Sequence, residues 1–508
     1  MMRSLYSGVS GLKVHQTKMD VIGHNISNVN TIGFKSGQVN FSDILYQTTA
    51  NASGPNAEAN TAGTNARQIG LGASVASISN TVTVSGGTQR TDNALDLMIE
   101  GDQLFIVNNG VQNYFTKAGA FTVDAAGVLC NNSGCKVMGW QVDPNDPTRC
   151  VPDTVSELKV RSPETSFVAP EATENVYFSG NIDYKDTQLQ SETGKTSTIS
   201  FYDKLGQSYM AILEMHPATD ASGAKSEDVY DLVISDILDA NGTSIFVNEP
   251  ADPSKPVGTG NGNDYTLKTG WGIDFGGQKD DQGNVSGGIA GTATPVDATE
   301  FAKTGKVKLN MATGVKLQFD KSSGKFVGVG GGNNKSVQLK ITTDDDASSP
   351  FSTIDCDFSS MTMYASSGSS SFSCQRGSLD KGTGAGKPKG NMTGISVDTS
   401  GRIYGSYDNG DKKLLCQIAV ARFANPAGLE AVGNSLFLDT MNSEKFDGRG
   451  EDIAMHGGKM TSGVLEMSNV DLSTEFTNII TTQRGFQANS RVITTSDTML
   501  EELINLKR

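Results

Sequence analysis

No apolar run in the 508-residue sequence approaches the roughly 20 residues of a membrane-spanning helix, so no membrane insertion is expected. The first residues, MMRSLYSGVSGLKVHQTKMD, lack the continuous apolar core and small-residue cleavage site of a secretory leader. On that ground alone the chain reads as cytoplasmic. Clusters of Lys and Arg are missing and the net charge is −15, which argues against a nucleic-acid partner. Histidine is scarce: of His15, His24, His216 and His456, the first two are nine apart, at neither of the helical spacings that place two ligands on one metal. Six cysteines are too sparse for a disulfide scaffold, and none forms a C-x-x-C pair. Cys130 with Cys135, and Cys356 with Cys374, could pair in an oxidising setting, with buried free thiols the alternative; Cys150 and Cys416 complete the six.

Catalytic motifs are missing as well. There is no H-E-x-x-H, G-x-S-x-G or Walker loop. The glycine-rich stretch Val327 to Asn334 lacks the Lys-Ser/Thr helix start of a phosphate cradle. The run Asp344-Asp345-Asp346 lacks the alternating ligand spacing of a calcium loop and reads as a solvated loop. No catalytic, cofactor-binding or metal-ligating residue is therefore expected, and the chain does not read as an enzyme.

What is present is concentrated at the two ends. From Val464 to Leu506, Leu465, Leu472, Ile479, Phe486, Ile493 and Leu500 follow one another at intervals of seven, with no proline among them, an apolar stripe at coiled-coil spacing. The companion row, Asn469, Phe476, Gln483, Ser490, Asp497 and Ile504, holds only two apolar residues. A helix so built seeks partners on several sides, because burying the six stripe residues contributes on the order of 10–15 kcal/mol against about 1 kcal/mol or more per ordered residue. At the other end Leu5, Leu12, Met19 and Ile26 repeat the spacing, thickened by Val9, Ile22 and Val29. Two readings follow: an intramolecular helix pair that closes one globule, or helices that pack against copies of themselves in a polymer. The polar faces, rich in Asn, Gln, Thr and Ser, suit the second.

Between the ends the chain reads as strands and turns, with 19% charged residues and 58 glycines. Its length calls for three or more domains. The expected order is an N-terminal helix (1–32), a linker (33–70), the first half of an inner β domain (71–150), outer β domains (151–395) with a sparsely apolar insertion near 217–307, the second half of the inner domain (396–460) and a C-terminal helix (461–508). This order is a palindrome. The fold expected is therefore α+β and multidomain, with nested, mostly antiparallel β domains between two terminal helices that form a coiled coil.

The N-terminal MMRSLYSGVSGLKVHQTKMDVIGHNISNVNTIGFKSG resembles the rod and hook family of the bacterial flagellum, whose signature falls here on Asn25, Asn28, Asn30, Thr31, Gly33 and Phe34. The C-terminal SNVDLSTEFTNIITTQRGFQANSRVITTSDTMLEELINLKR resembles the same family, as do NVYFSGNID at Asn175, YDKLGQ at Tyr202, GRIYGSYDNG at Gly401 and FANPAGLEAVGNSLF at Phe423. The resemblance implies a structural protein that polymerises into the short curved tube between rod and filament, its terminal helices lining the channel and its β domains lying outward. It implies contacts with itself, with rod proteins, with the hook cap and with hook–filament junction proteins. It also implies an extracellular place, reached unfolded through the flagellar type III exporter without a cleaved leader, which reverses the cytoplasmic reading. Phe41-Ser42-Asp43-Ile44-Leu45 resembles a segment associated with that export, while packing of Phe41 and Leu45 is the plainer alternative. A distal rod protein or a junction protein shares the ends; the long stretch between Cys150 and Gly401 favours the hook.

Overall fold

The computed structural model describes residues 2–55, 62–144, 146–191, 193–219, 223–250, 264–279, 285–286, 288–311, 313–344 and 349–506. The architecture is α+β: helix α1 (Met2–Ser27) and helix α3 (Leu472–Asn505) stand at the ends, and between them the described residues form mostly antiparallel strands and a short α-helix, α2 (Ala298–Thr304). The chain divides into two compact units, where its length suggested three or more. The first holds Met1–Ser166, Met392–Ser406 and Asp411–Arg508, the second Phe167–Asn391 and Tyr407–Gly410.

In the first unit both ends of the chain are woven into one body. Leu104–Asn108 is a central strand between Asn113–Thr116 and Lys136–Asp143. Because successive side chains point to opposite faces, Leu104 and Ile106 join Phe115, Trp140 and Phe423 in one cluster, while Phe105 and Val107 join Leu97, Phe121 and Val137 in another. Burial on both faces explains why Leu104-Phe105-Ile106-Val107 is a continuous apolar run. The preceding strand, Leu97–Glu100, is not its hairpin partner; it pairs with Lys459–Ser462 from the far end of the chain.

Residues 33–70 are not a plain linker. Gly37–Asp43 pairs with Ala73–Asn80, and Tyr46–Ala50 with Arg67–Gly70. The sequence hid these ribbons because their backbone bonds are satisfied without an apolar face: Tyr46–Ala50 and Arg67–Gly70 are exposed throughout.

The second unit gathers a five-stranded and an eight-stranded sheet on one large core. In the hairpin at Asp203-Lys204-Leu205-Gly206, the Asp203 carboxylate accepts from the Leu205 and Gln207 amides at 2.9 and 2.8 Å, and Gly206 takes a positive φ of 82°. The region 217–307, expected to be a sparsely apolar insertion, supplies core instead. Lys225–Leu238 is a 14-residue strand whose Tyr230, Leu232 and Ile234 alternate inward and are almost wholly buried, and Ile273 and Phe275 join the same cluster. The polar residues beside them, Asp231, Ser235 and Asp236, diluted the apolar signal. Of the run Asp344-Asp345-Asp346, the last two lie outside the described residues. All six cysteines are free thiols.

Candidate assembly site at the terminal helices

Helices α1 and α3 pack antiparallel. The Ser4 and Ser496 hydroxyls are 3.3 Å apart near one end of the pair, and Asn25 reaches Glu475 at the other. Glycines let the two helices approach closely, each facing a larger side chain of the other helix. A Cβ added to Gly8 would stand 3.1 Å from Ile493, one on Gly11 2.7 Å from the Asn489 side chain, and one on Gly485 2.7 Å from the His15 ring. The fully enclosed positions of the two helices are Gly8, Val14, Ile22, Asn25, Thr482 and Ser496.

The stripe residues are only partly covered within the chain, and one of them, Ile493, packs on Gly8. Leu5, Leu12, Met19 and Ile26 are half-buried, as are Ile479, Phe486, Ile493 and Leu500, and Leu472 is exposed. Leu465 is not on the helix at all: it lies buried in the strand Val464–Glu466, paired with Thr88–Arg90, and α3 starts where Asp471 accepts from the Ser473 amide at 3.0 Å. Large apolar side chains remain in solvent along both helices, among them Met2, Tyr6 and Val9 on α1 and Phe476, Ile480, Val492, Met499, Leu503 and Ile504 on α3. The glycines at 8, 11 and 485 permit this close approach, and a spacing of bulky residues does not register them.

The six signature residues organise the end of α1. Asn25, 1% exposed, donates to the Gly37 carbonyl at 2.9 Å and to Glu475 at 3.1 Å, while its side-chain oxygen accepts from the Gly37 amide at 2.9 Å. One side chain thus joins α1, the following strand and α3. Asn28 donates to the His24 carbonyl at 2.9 Å and accepts from the Thr31 hydroxyl at 3.1 Å, closing the helix. Asn30 is exposed. Gly33 turns with φ of 66° and donates its amide to the Glu466 carbonyl at 2.8 Å; the Phe34 ring stands 5.3 Å from that of His24.

Directly after the signature comes a buried ion pair. Lys35 and Glu466 meet at 2.7 Å with side chains 1% and 0% exposed. The Lys35 ammonium also donates to the Val84 carbonyl at 2.6 Å, and Glu466 also accepts from the Gly86 amide at 3.0 Å. Asn469 continues the clasp, donating to the Thr81 hydroxyl at 2.9 Å and accepting from the Ser36 amide at 2.8 Å. The two ends of the chain are thereby fixed to the same β segment.

A second buried cation, Lys117, donates to the Gly101 carbonyl at 2.6 Å. Burial above all pulls its pKa from 10.5 to about 8; Glu466 opposes that shift and Lys35 adds to it. The folded state releases this proton near pH 8 and the unfolded chain near 10.5. The stabilisation is thus fully present above 10.5 and is lost as pH falls through 8. Relative to Lys117→Met, the unfolding free energy of the natural chain should rise by about 2 kcal/mol between pH 7.5 and pH 10. Denaturant titrations at the two pH values measure this, and an unchanged difference would contradict a buried ammonium.

Phe41 and Leu45, the export candidates, differ in setting. The Phe41 ring meets His15 edge-on at 5.9 Å with the Lys18 ammonium 5.5 Å from its centroid, whereas Leu45 is 78% exposed. Among the described residues no group of three His, Cys, Asp or Glu side chains is gathered for a metal ion, and no helix is long and apolar enough to cross a membrane.

Comparison with known proteins places these features. Residues 5–35 match the family described as flagella basal body rod protein, and residues 461–506 the family described as flagellar basal body rod FlgEFG protein C-terminal. The chain is 34% identical to the flagellar hook protein FlgE of Borreliella burgdorferi and 31% identical to that of Treponema pallidum, each over all of both chains. A third relative, the flagellar basal-body rod protein FlgG of Bacillus subtilis, is 48% identical over 138 residues, 27% of this chain and 51% of its own. The chain belongs to the flagellar hook protein family, a family of structural components of the flagellum.

Proposed function

We propose that this chain polymerises into the curved, flexible tube that links the flagellar rod to the filament and transmits motor torque as a universal joint. The observation that carries this reading is the terminal helix pair: it is clasped to the β segments through Lys35, Glu466 and Asn469, yet leaves large apolar side chains such as Tyr6 and Ile504 in solvent along both helices. Such faces fit contacts between copies. The two helices line the channel and the β units lie outward, where polar, glycine-rich surfaces slide as the tube bends. Rod proteins meet the tube at one end and junction proteins at the other, with a cap guiding growth. Delivery is through the flagellar type III exporter, with the Phe41–Leu45 segment read in the unfolded chain.

The partial match to a rod protein favours one second reading, a distal rod subunit with a straight tube. Electron microscopy of the purified full chain at rising concentration separates the two. Curved tubes are expected; straight ones would move the assignment to the rod.

A further inference from the structure

The charges of α3 are sorted along its length. Arg484 and Arg491 stand in the middle and Asp497, Glu501 and Glu502 in the last third, all exposed. None of these five side chains has an ion-pair partner among the described residues. A groove of about 640 Å³ runs along the flank of α3, its lining including Ala488, Val492, Ser496, Met499, Arg484 and Arg491. Apolar Val492 and Met499 and polar Gln487 and Thr495 share its lining, and its only charges are the two arginines.

We propose that this groove seats the acidic last third of α3 from a second copy of this chain, so that Asp497, Glu501 and Glu502 meet Arg484 and Arg491 while Leu503 and Ile504 cover Val492. The inference rests on the self-assembly reading and names its contact. Charge selects the occupant. The other exposed helix, α1, carries Arg3, Lys13 and Lys18 against the single acid Asp20, and would bring like charge to the two arginines. Leu503 and Ile504 are among the apolar side chains left in solvent, and they lie beside the acids.

The relative direction of the two helices decides what grows. Packed antiparallel, two copies would satisfy both patches of each other and close as a dimer. Packed parallel with a stagger of about 12 residues, or about 18 Å at the helical rise, each copy offers its groove to one neighbour and its acidic end to another. That contact never closes on itself. A parallel stagger is thus the arrangement that a tube requires.

The test is charge reversal in the full chain. One variant, Arg484→Glu/Arg491→Glu, has an acidic groove and an acidic end; the other, Asp497→Lys/Glu501→Lys/Glu502→Lys, has a basic groove and a basic end. Neither should assemble alone below about ten times the concentration that suffices for the natural chain. An equal mixture should assemble within about threefold of it, because each variant's groove then matches the other's end. All the substituted residues are exposed, and far-ultraviolet circular dichroism should leave the helix content of each variant unchanged. Normal assembly by either variant alone, or failure of the mixture, would overturn the groove contact and leave the polymer reading standing. Arrest of the natural chain at dimers, or no assembly by it, would overturn both.

Discussion

Glu466→Gln lowers the unfolding free energy of the first unit by about 3–5 kcal/mol. The carboxylate is wholly enclosed, and one of its oxygens is shared between the Lys35 ammonium at 2.7 Å and the Gly86 amide at 3.0 Å. A neutral amide leaves Lys35 uncompensated and removes the anion that offsets Lys117, so two cations remain buried. The sequence holds two tryptophans, Trp140 in the first unit and Trp271 in the second, so denaturant unfolding in a Trp271→Phe background reports the first unit alone. The second unit, followed through Trp271 in a Trp140→Phe background, should keep its midpoint. Lys35→Met/Glu466→Met should recover most of the loss, because a well-packed apolar pair avoids desolvating either charge. A loss below about 1 kcal/mol for Glu466→Gln would mean that the ion pair does not hold the ends of the chain to the β segments.

Gly33→Ala is the second large effect, a loss of about 2–4 kcal/mol from a single methyl group. The φ of 66° strains any side-chain-bearing residue, and the new Cβ would stand 2.5 Å from the Ala118 amide nitrogen and 2.8 Å from its Cα. These are backbone atoms that cannot rotate away. Relief requires the turn to move, and the turn carries both the Gly33 bond to Glu466 and the approach of Lys35. Gly23, exposed on α1, provides the contrast: its Cβ would meet nothing within 4 Å, and Gly23→Ala should stabilise the helix by up to about 1 kcal/mol. Thermal unfolding of the two variants side by side reads the difference. Equal behaviour would remove the special role given to the signature turn.

The two terminal helices were legible because their apolar residues recur over many turns, and the signature because its residues stand together. Their roles were not. Asn25 acts on Gly37 and Glu475, and Lys35 on a carboxylate 431 positions away, pairings that no local pattern reveals. Intervals of seven count bulky residues and so did not reveal the close approach of α1 and α3, where Gly8 meets Ile493, Gly11 meets Asn489 and Gly485 meets His15. Leu465 continued the spacing by coincidence; the strand it occupies ends before Asp471 caps the helix. In the second unit, aspartate and serine on the outward face of Lys225–Leu238 made a core strand look like decoration.

The central claim is that the terminal helices are the assembly elements. The direct measurement is electron microscopy of the full chain beside a chain restricted to residues 28–470, which lacks α1 and α3 but keeps Lys35, Glu466 and Asn469 together. The account predicts curved tubes from the full chain and only monomers, with intact β content by circular dichroism, from the restricted one. Tubes from both, or compact monomers from both at every concentration, would contradict it.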